Sequence, residues 1–104
     1  MFNDGKLDDE VVVREIEHKN LEFVTQALSL MAKLKEPLVR RIIDSRNGKS
    51  VTSLAWSAGF KMKTATVLQR RVAKVRRHSL VSPQGVDYPL SEVEMAWQVE
   101  FFKT

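Results

Sequence analysis

Apolar residues recur along this chain at the three- and four-residue spacing of an α-helix, and the period-two alternation of a strand is nearly absent. Val12, Val13 and Ile16 share one side of a segment that Asp8 or Asp9 can cap and that runs to about His18. The triplet Val11-Val12-Val13 is strand-like, but it is short and charged residues follow, so the segment reads as helix. Lys19-Asn20 marks a turn. Asn20 is placed to cap a second helix, with Glu22 favourably set against its dipole. Phe23, Val24, Ala27, Leu28, Met31 and Leu34 give that helix one broad apolar face. Pro37 suits the first turn of a third helix, where its missing N–H is no loss. Leu38, Val39, Ile42 and Ile43 form the buried side of this helix. Arg40, Arg41 and Arg46 point away, and Asn47-Gly48 is the predicted end.

Ser50 can cap a short helix, Val51 to Ala58, which Gly59 stops. Thr64 can cap a longer one, Ala65 to about Ser79. A polar connection through Ser82-Pro83-Gln84-Gly85 and Tyr88-Pro89 leads to Ser91-Glu92-Val93-Glu94, the pattern of a capping box. The last helix carries Val93, Ala96, Trp97 and Phe101, with Met95 and Phe102 as further apolar candidates. The expectation is an all-α domain of five to six helices, with residues 1–7 as a flexible lead-in and residues 8–104 as one helical domain. Leu28, Ala32, Leu34 and Lys35 recur 26 positions later as Leu54, Ala58, Phe60 and Lys61, and Val39 and Ile42 recur as Ala65 and Leu68. Each copy is a helix, a tight turn and a second helix, a unit that buries its apolar face only by stacking on a neighbour. Chance similarity between amphipathic helices is the competing explanation.

The chain has 104 residues, 43% of them hydrophobic, and no cysteine. That length suffices for one core without staples. The missing cysteines exclude disulfides, thiolate metal sites and Cys nucleophiles, and they fit a reducing compartment. No apolar run approaches the roughly 20 residues of a membrane span. The polar N-terminus is not a secretory signal. The expected location is cytoplasmic.

Charge changes the picture more than composition does. Thirteen of the seventeen Lys and Arg lie between Lys33 and Arg77, against two acids there, Glu36 and Asp44. The basic centre therefore sits between acidic ends. At about 100° per residue, Ala65, Leu68, Val72, Val75 and Ser79 fall within roughly 80° of arc on the predicted long helix. Lys63, Arg70, Lys74 and Arg77 fall within about 60° on the opposite side, with Lys61 at the edge of that stripe. Such a stripe suits an anionic partner, because binding a phosphate chain releases its counterions. It also suits a plain solvated helix face, or neutralisation by the chain's own acids: Asp87, Glu92, Glu94, Glu100 or the acidic lead-in.

Val51 to Arg70 also resembles the DNA-reading helix-turn-helix. Ala55 would allow a close helix crossing, and Gly59 would supply the positive φ of the turn. Ala65 and Leu68 return to the core, with Leu54, Ala58 and Phe60 as packing partners. Lys61, Lys63, Thr64, Thr66 and Arg70 would be the exposed early positions of the second helix. Met62 and Val67 would also face the DNA, and Ala65 is smaller than the branched residue usual there. These are departures from the motif.

Nothing calls for an enzyme. His18 and His78 are far apart, and neither has a partner at metal-ligand spacing. There is no phosphate loop, no nucleophile elbow and no paired carboxylate on an apolar patch. Trp56 and Trp97 read as core or helix-packing anchors. No cofactor and no metal is expected.

Several segments together carry a family resemblance: Glu17-His18-Lys19-Asn20-Leu21-Glu22-Phe23, Ala27-Leu28 to Pro37-Leu38-Val39-Arg40-Arg41, and Leu54-Ala55 to Ala58-Gly59-Phe60. Tyr88-Pro89-Leu90-Ser91 and the stretch from Trp97 to Phe102 complete it. Over about residues 15–102 the chain resembles an uncharacterised helical family of bacterial proteins, known as a domain of unknown function. The resemblance implies a HEAT-like bundle of stacked antiparallel helical hairpins and no established activity. Members are generally longer, which implies either a segment of a larger protein or a short paralogue.

The expected function is that of a non-enzymatic interaction or adaptor domain. It would bind an acidic macromolecular partner, an acidic protein or nucleic acid, through Lys61, Lys63, Arg70, Lys74 and Arg77. The alternative is nucleic-acid binding through residues 51–77. Acidic ends and a basic centre also allow self-association.

Overall fold

The computed structural model describes residues 9–82 and 87–103. They form six α-helices: α1 (Asp9–Glu17), α2 (Leu21–Ala32), α3 (Glu36–Asp44), α4 (Gly48–Ser57), α5 (Met62–Val67) and α6 (Glu92–Lys103). A wide π-helical turn, Leu68–Val72, continues α5, and a 3₁₀ turn spans Arg77–Ser79. The lead-in, the alternative cap Asp8 and the Pro83-Gln84-Gly85 connection lie outside the described residues. Each helix from α1 to α4 packs on the next, and α6 lies along α4. The protein is an all-α bundle of helical hairpins.

α4 is its centre. It touches α2, α3, α5 and α6. Gly48, Ser50, Val51, Thr52, Ser53, Leu54 and Ala55 are all buried. A helix enclosed by so many neighbours needs small side chains, so that backbones can approach without voids. Gly48 shows how close they come, because a Cβ there would stand 2.1 Å from the Ser79 carbonyl oxygen. That carbonyl belongs to the segment returning from α5. The fully buried Gln69 holds this segment, donating Nε2 to the Val81 carbonyl at 3.0 Å and accepting the Val81 N–H at 2.8 Å.

The 26-residue spacing reappears in three dimensions. Leu28 and Leu54, Val39 and Ala65, and Ile42 and Leu68 are buried in matched pairs. Lys33 (φ 60°) and Gly59 (φ 84°) are both left-handed. The Leu34 N–H bonds to the Ser29 carbonyl and the Phe60 N–H to the Ala55 carbonyl, both at 3.0 Å. That six-to-one bond marks a Schellman helix end, and Leu34 and Phe60 are the buried apolar residues that accompany it. Lys35 (φ −70°, ψ 145°) and Lys61 (φ −78°, ψ 159°) then open the second helix of each copy. Agreement in burial, dihedral angle and hydrogen bonding at matched positions makes α2–α3 and α4–α5 two versions of one hairpin.

Two predicted features of the N-terminal half hold. Asn20 accepts the Phe23 N–H at 3.3 Å as the cap of α2, and Pro37 sits in the first turn of α3. Four others differ, each for a reason outside the local pattern. Asn47-Gly48 does not end α3 but begins α4: Asn47 accepts the Ser50 N–H at 3.1 Å, so Asn47 and not Ser50 is the cap. The turn that ends α3 is made by Arg46 (φ 54°). Similarly, α5 begins at Met62, before Thr64, because its cap comes from α1. Its predicted run to Ser79 stops at the wide turn, where Lys74 (φ 54°) goes left-handed and Val75 folds inward. Lastly, α6 buries Met95 and Val99 and leaves Val93, Trp97 and Phe101 exposed. Both faces of α6 are apolar, so periodicity could not choose between them. Ser50 and Gln98 meet at 2.9 Å and fix the side that faces α4.

Candidate functional site

All five candidate cations, Lys61, Lys63, Arg70, Lys74 and Arg77, are exposed. Leu68 is buried and Val72 half-buried. The stripe is not one continuous helix face, however. Lys63 and Arg70 lie on α5 and its π turn, Lys61 is the cap residue, Lys74 occupies the left-handed bend, and Arg77 sits in the 3₁₀ turn.

Acids of α1 divide the group. Asp9, Glu10 and Glu17 line a groove of about 460 Å³ with Lys61, Lys63, Thr64 and Val67. Asp9 Oδ2 accepts the Lys61 N–H at 2.8 Å and the Thr64 hydroxyl at 2.5 Å. It caps α5 from another helix, the role a carboxylate three residues on would play in a capping box. Further along, Arg70, Arg71 and Lys74 surround a second groove with Lys19 and a single acid, Glu17. Among the described residues, no acid comes within ion-pair distance of any cation from Lys61 to Arg77; the two ion pairs found are Arg40–Glu36 at 3.3 Å and Lys103–Glu100 at 3.0 Å.

The helix-turn-helix resemblance is half realised. Ala55, Ala58, Phe60, Ala65 and Leu68 are buried, and Gly59 makes the turn. The front of the second helix is not free. Thr64 and Met62, expected to be exposed, are both buried, and Thr66 and Val67 are half-buried. Asp9, Glu10 and Glu17 share the groove in front of Lys61, Lys63 and Thr64. The same hairpin geometry recurs in α2–α3, so it is a packing unit of this fold. Tyr88 donates its hydroxyl to the Phe60 carbonyl at 2.6 Å. Burial first, and then the charge of Asp9, pushes its phenol well above the ordinary range.

Two surfaces escaped the sequence reading. One is the exposed aromatic edge of α6. Trp97 and Phe101 stack at 5.8 Å, and Phe101 meets Phe102 edge-on at 5.5 Å. Trp97 is therefore not a core anchor. The second is an open groove of about 420 Å³ at the α2–α3 turn, bounded by the end of α6. The repeat itself was the available signal for that groove, since Lys35 matches Lys61. Among the described residues no cluster of three or more His, Cys, Asp or Glu could hold a metal, and no helix is long and apolar enough to cross a membrane.

The fold is that of an all-helical bundle built on a duplicated hairpin. Residues 1–96 match the model of the family described as "Uncharacterised protein conserved in bacteria (DUF2336)", and the chain belongs to that family. No curated protein and no solved structure matches it.

Proposed function

We propose that this protein is a non-enzymatic interaction domain that binds an acidic protein partner through the outer side of α5 and the bend that follows it. Arg70, Lys74 and Arg77 form the centre of the contact, Arg71 lies beside them, and Lys61 and Lys63 are at the edge nearest α1. The observation that carries this is the set of exposed cations from Lys61 to Arg77 without an ion-pair partner among the described residues. Like charges held close without counter-charges raise the local potential and favour an anionic partner. A cytoplasmic location belongs to the same proposal, in keeping with the cysteine-free sequence.

Charge reversal tests it. Arg70→Glu, Lys74→Glu and Arg77→Glu combined should leave the circular dichroism unchanged and weaken binding of fluorescein-labelled polyglutamate by at least about tenfold. Unchanged anisotropy titrations would remove this surface from consideration. Nucleic-acid binding is the second reading, favoured by the tight α4–α5 turn at Gly59. It requires duplex DNA to bind more tightly than polyglutamate, with log affinity falling by about 0.9 per phosphate contact against log salt. The buried Thr64 and the α1 acids weigh against it.

A further inference from the structure

The duplicated hairpin reveals what kind of element fits a groove that stands open. In the α4–α5 copy, the start of the second helix is covered. The α1 acids lie against Lys61 and Lys63, and Asp9 accepts the amide of the cap residue Lys61. In the α2–α3 copy, the matching cap residue is Lys35. Its side chain caps nothing, and its amide has no hydrogen-bond partner among the described residues. Beside it lies the open groove. Leu34, Leu38 and Phe102 supply its apolar floor. Lys33, Lys35, Arg41 and Lys103 rim it, all four exposed, and among the described residues no carboxylate lines it.

From this equivalence we infer that the groove is a docking site for the acidic first turn of a helix in a partner protein, seated as α1 is seated on the other hairpin. A carboxylate at its helix start would accept the Lys35 amide, as Asp9 accepts that of Lys61. Apolar side chains one turn further on would meet Leu38 and Phe102, as Val13 meets the α5 groove. The rim supplies charge complementarity: Lys33, Lys35 and Arg41 are in no ion pair among the described residues, while Lys103 is already tied to Glu100. This site is on a different hairpin from the basic outer side of α5 and does not depend on it.

α1 itself supplies the probe. A synthetic peptide of residues 8–18 carries the acidic start and the valine run. Titrated into the isotope-labelled full chain, it should shift the Lys35 and Leu38 amide signals saturably. Its affinity should fall at least about tenfold in Lys35→Glu/Arg41→Glu, since like charges across an interface are strongly disfavoured. Lys63→Glu, on the other hairpin, should leave the Lys35 shifts unaltered. A control peptide with every Asp and Glu changed to the amide should not bind. Three results would overturn the inference: shifts confined to Lys61–Val67, equal binding of the amide peptide, or anionic phosphatidylglycerol vesicles occupying the groove while the peptide leaves it untouched.

Discussion

The two hairpins share one design and have different surroundings. α4–α5 is enclosed: α6 and α2 flank α4, α1 caps α5, and the return segment presses on Gly48. α2–α3 has the same turn and the same buried positions, yet the entry to its second helix lies open under a rim of cations. The difference teaches where stability ends and recognition begins. Duplicating a fold unit duplicates its core, but only one copy's outer side can be taken up by the chain's own helices. The other copy keeps the groove proposed above as a docking site.

The comparison breaks most visibly in the core. Leu28→Ala and Leu54→Ala occupy matched, fully buried positions, so each should cost about 2–5 kcal/mol by urea denaturation. A cost at one and not the other would end the equivalence. Gly48→Ala should cost about 1–3 kcal/mol, because the Ser79 carbonyl must move. Its counterpart Glu22, exposed at the start of α2, should tolerate Ala within about 0.5 kcal/mol. Asp9→Ala strips the cap from Lys61 and leaves the buried Thr64 hydroxyl unpaired, for about 1–2 kcal/mol. Smallest are the turn exchanges. Gly59→Ala meets no atom within 4 Å, so only its positive φ opposes it, at about 1 kcal/mol. Lys33→Gly should stabilise by a few tenths to about 1 kcal/mol, relieving the same strain against a more mobile unfolded chain.

Much of this architecture could be read from the sequence. Asn20 and Pro37 announced helix starts through their own chemistry, and Gly59 announced a left-handed turn. Arg46 and Lys74 make left-handed bends with residues that carry no such signal, so the ends of α3 and α5 could not be placed. The cap of α5 escaped because Asp9 is 52 positions from Lys61. α6 misled because it is apolar on both sides, and only α4 decides which is buried. As for the candidate surface, its five cations are exposed. The opposing acids of α1 and the open copy of the groove depend on which helices become neighbours, and helical periodicity does not specify that.

Amide hydrogen exchange at Lys35 and Lys61 in the free protein compares the two hairpins directly. Lys61, bonded to Asp9, should exchange at least about tenfold more slowly than Lys35 and lose that protection in Asp9→Ala. Equal protection of the two amides in the intact chain would mean that the groove at Lys35 is already filled, and the account of a covered and an open copy would be wrong.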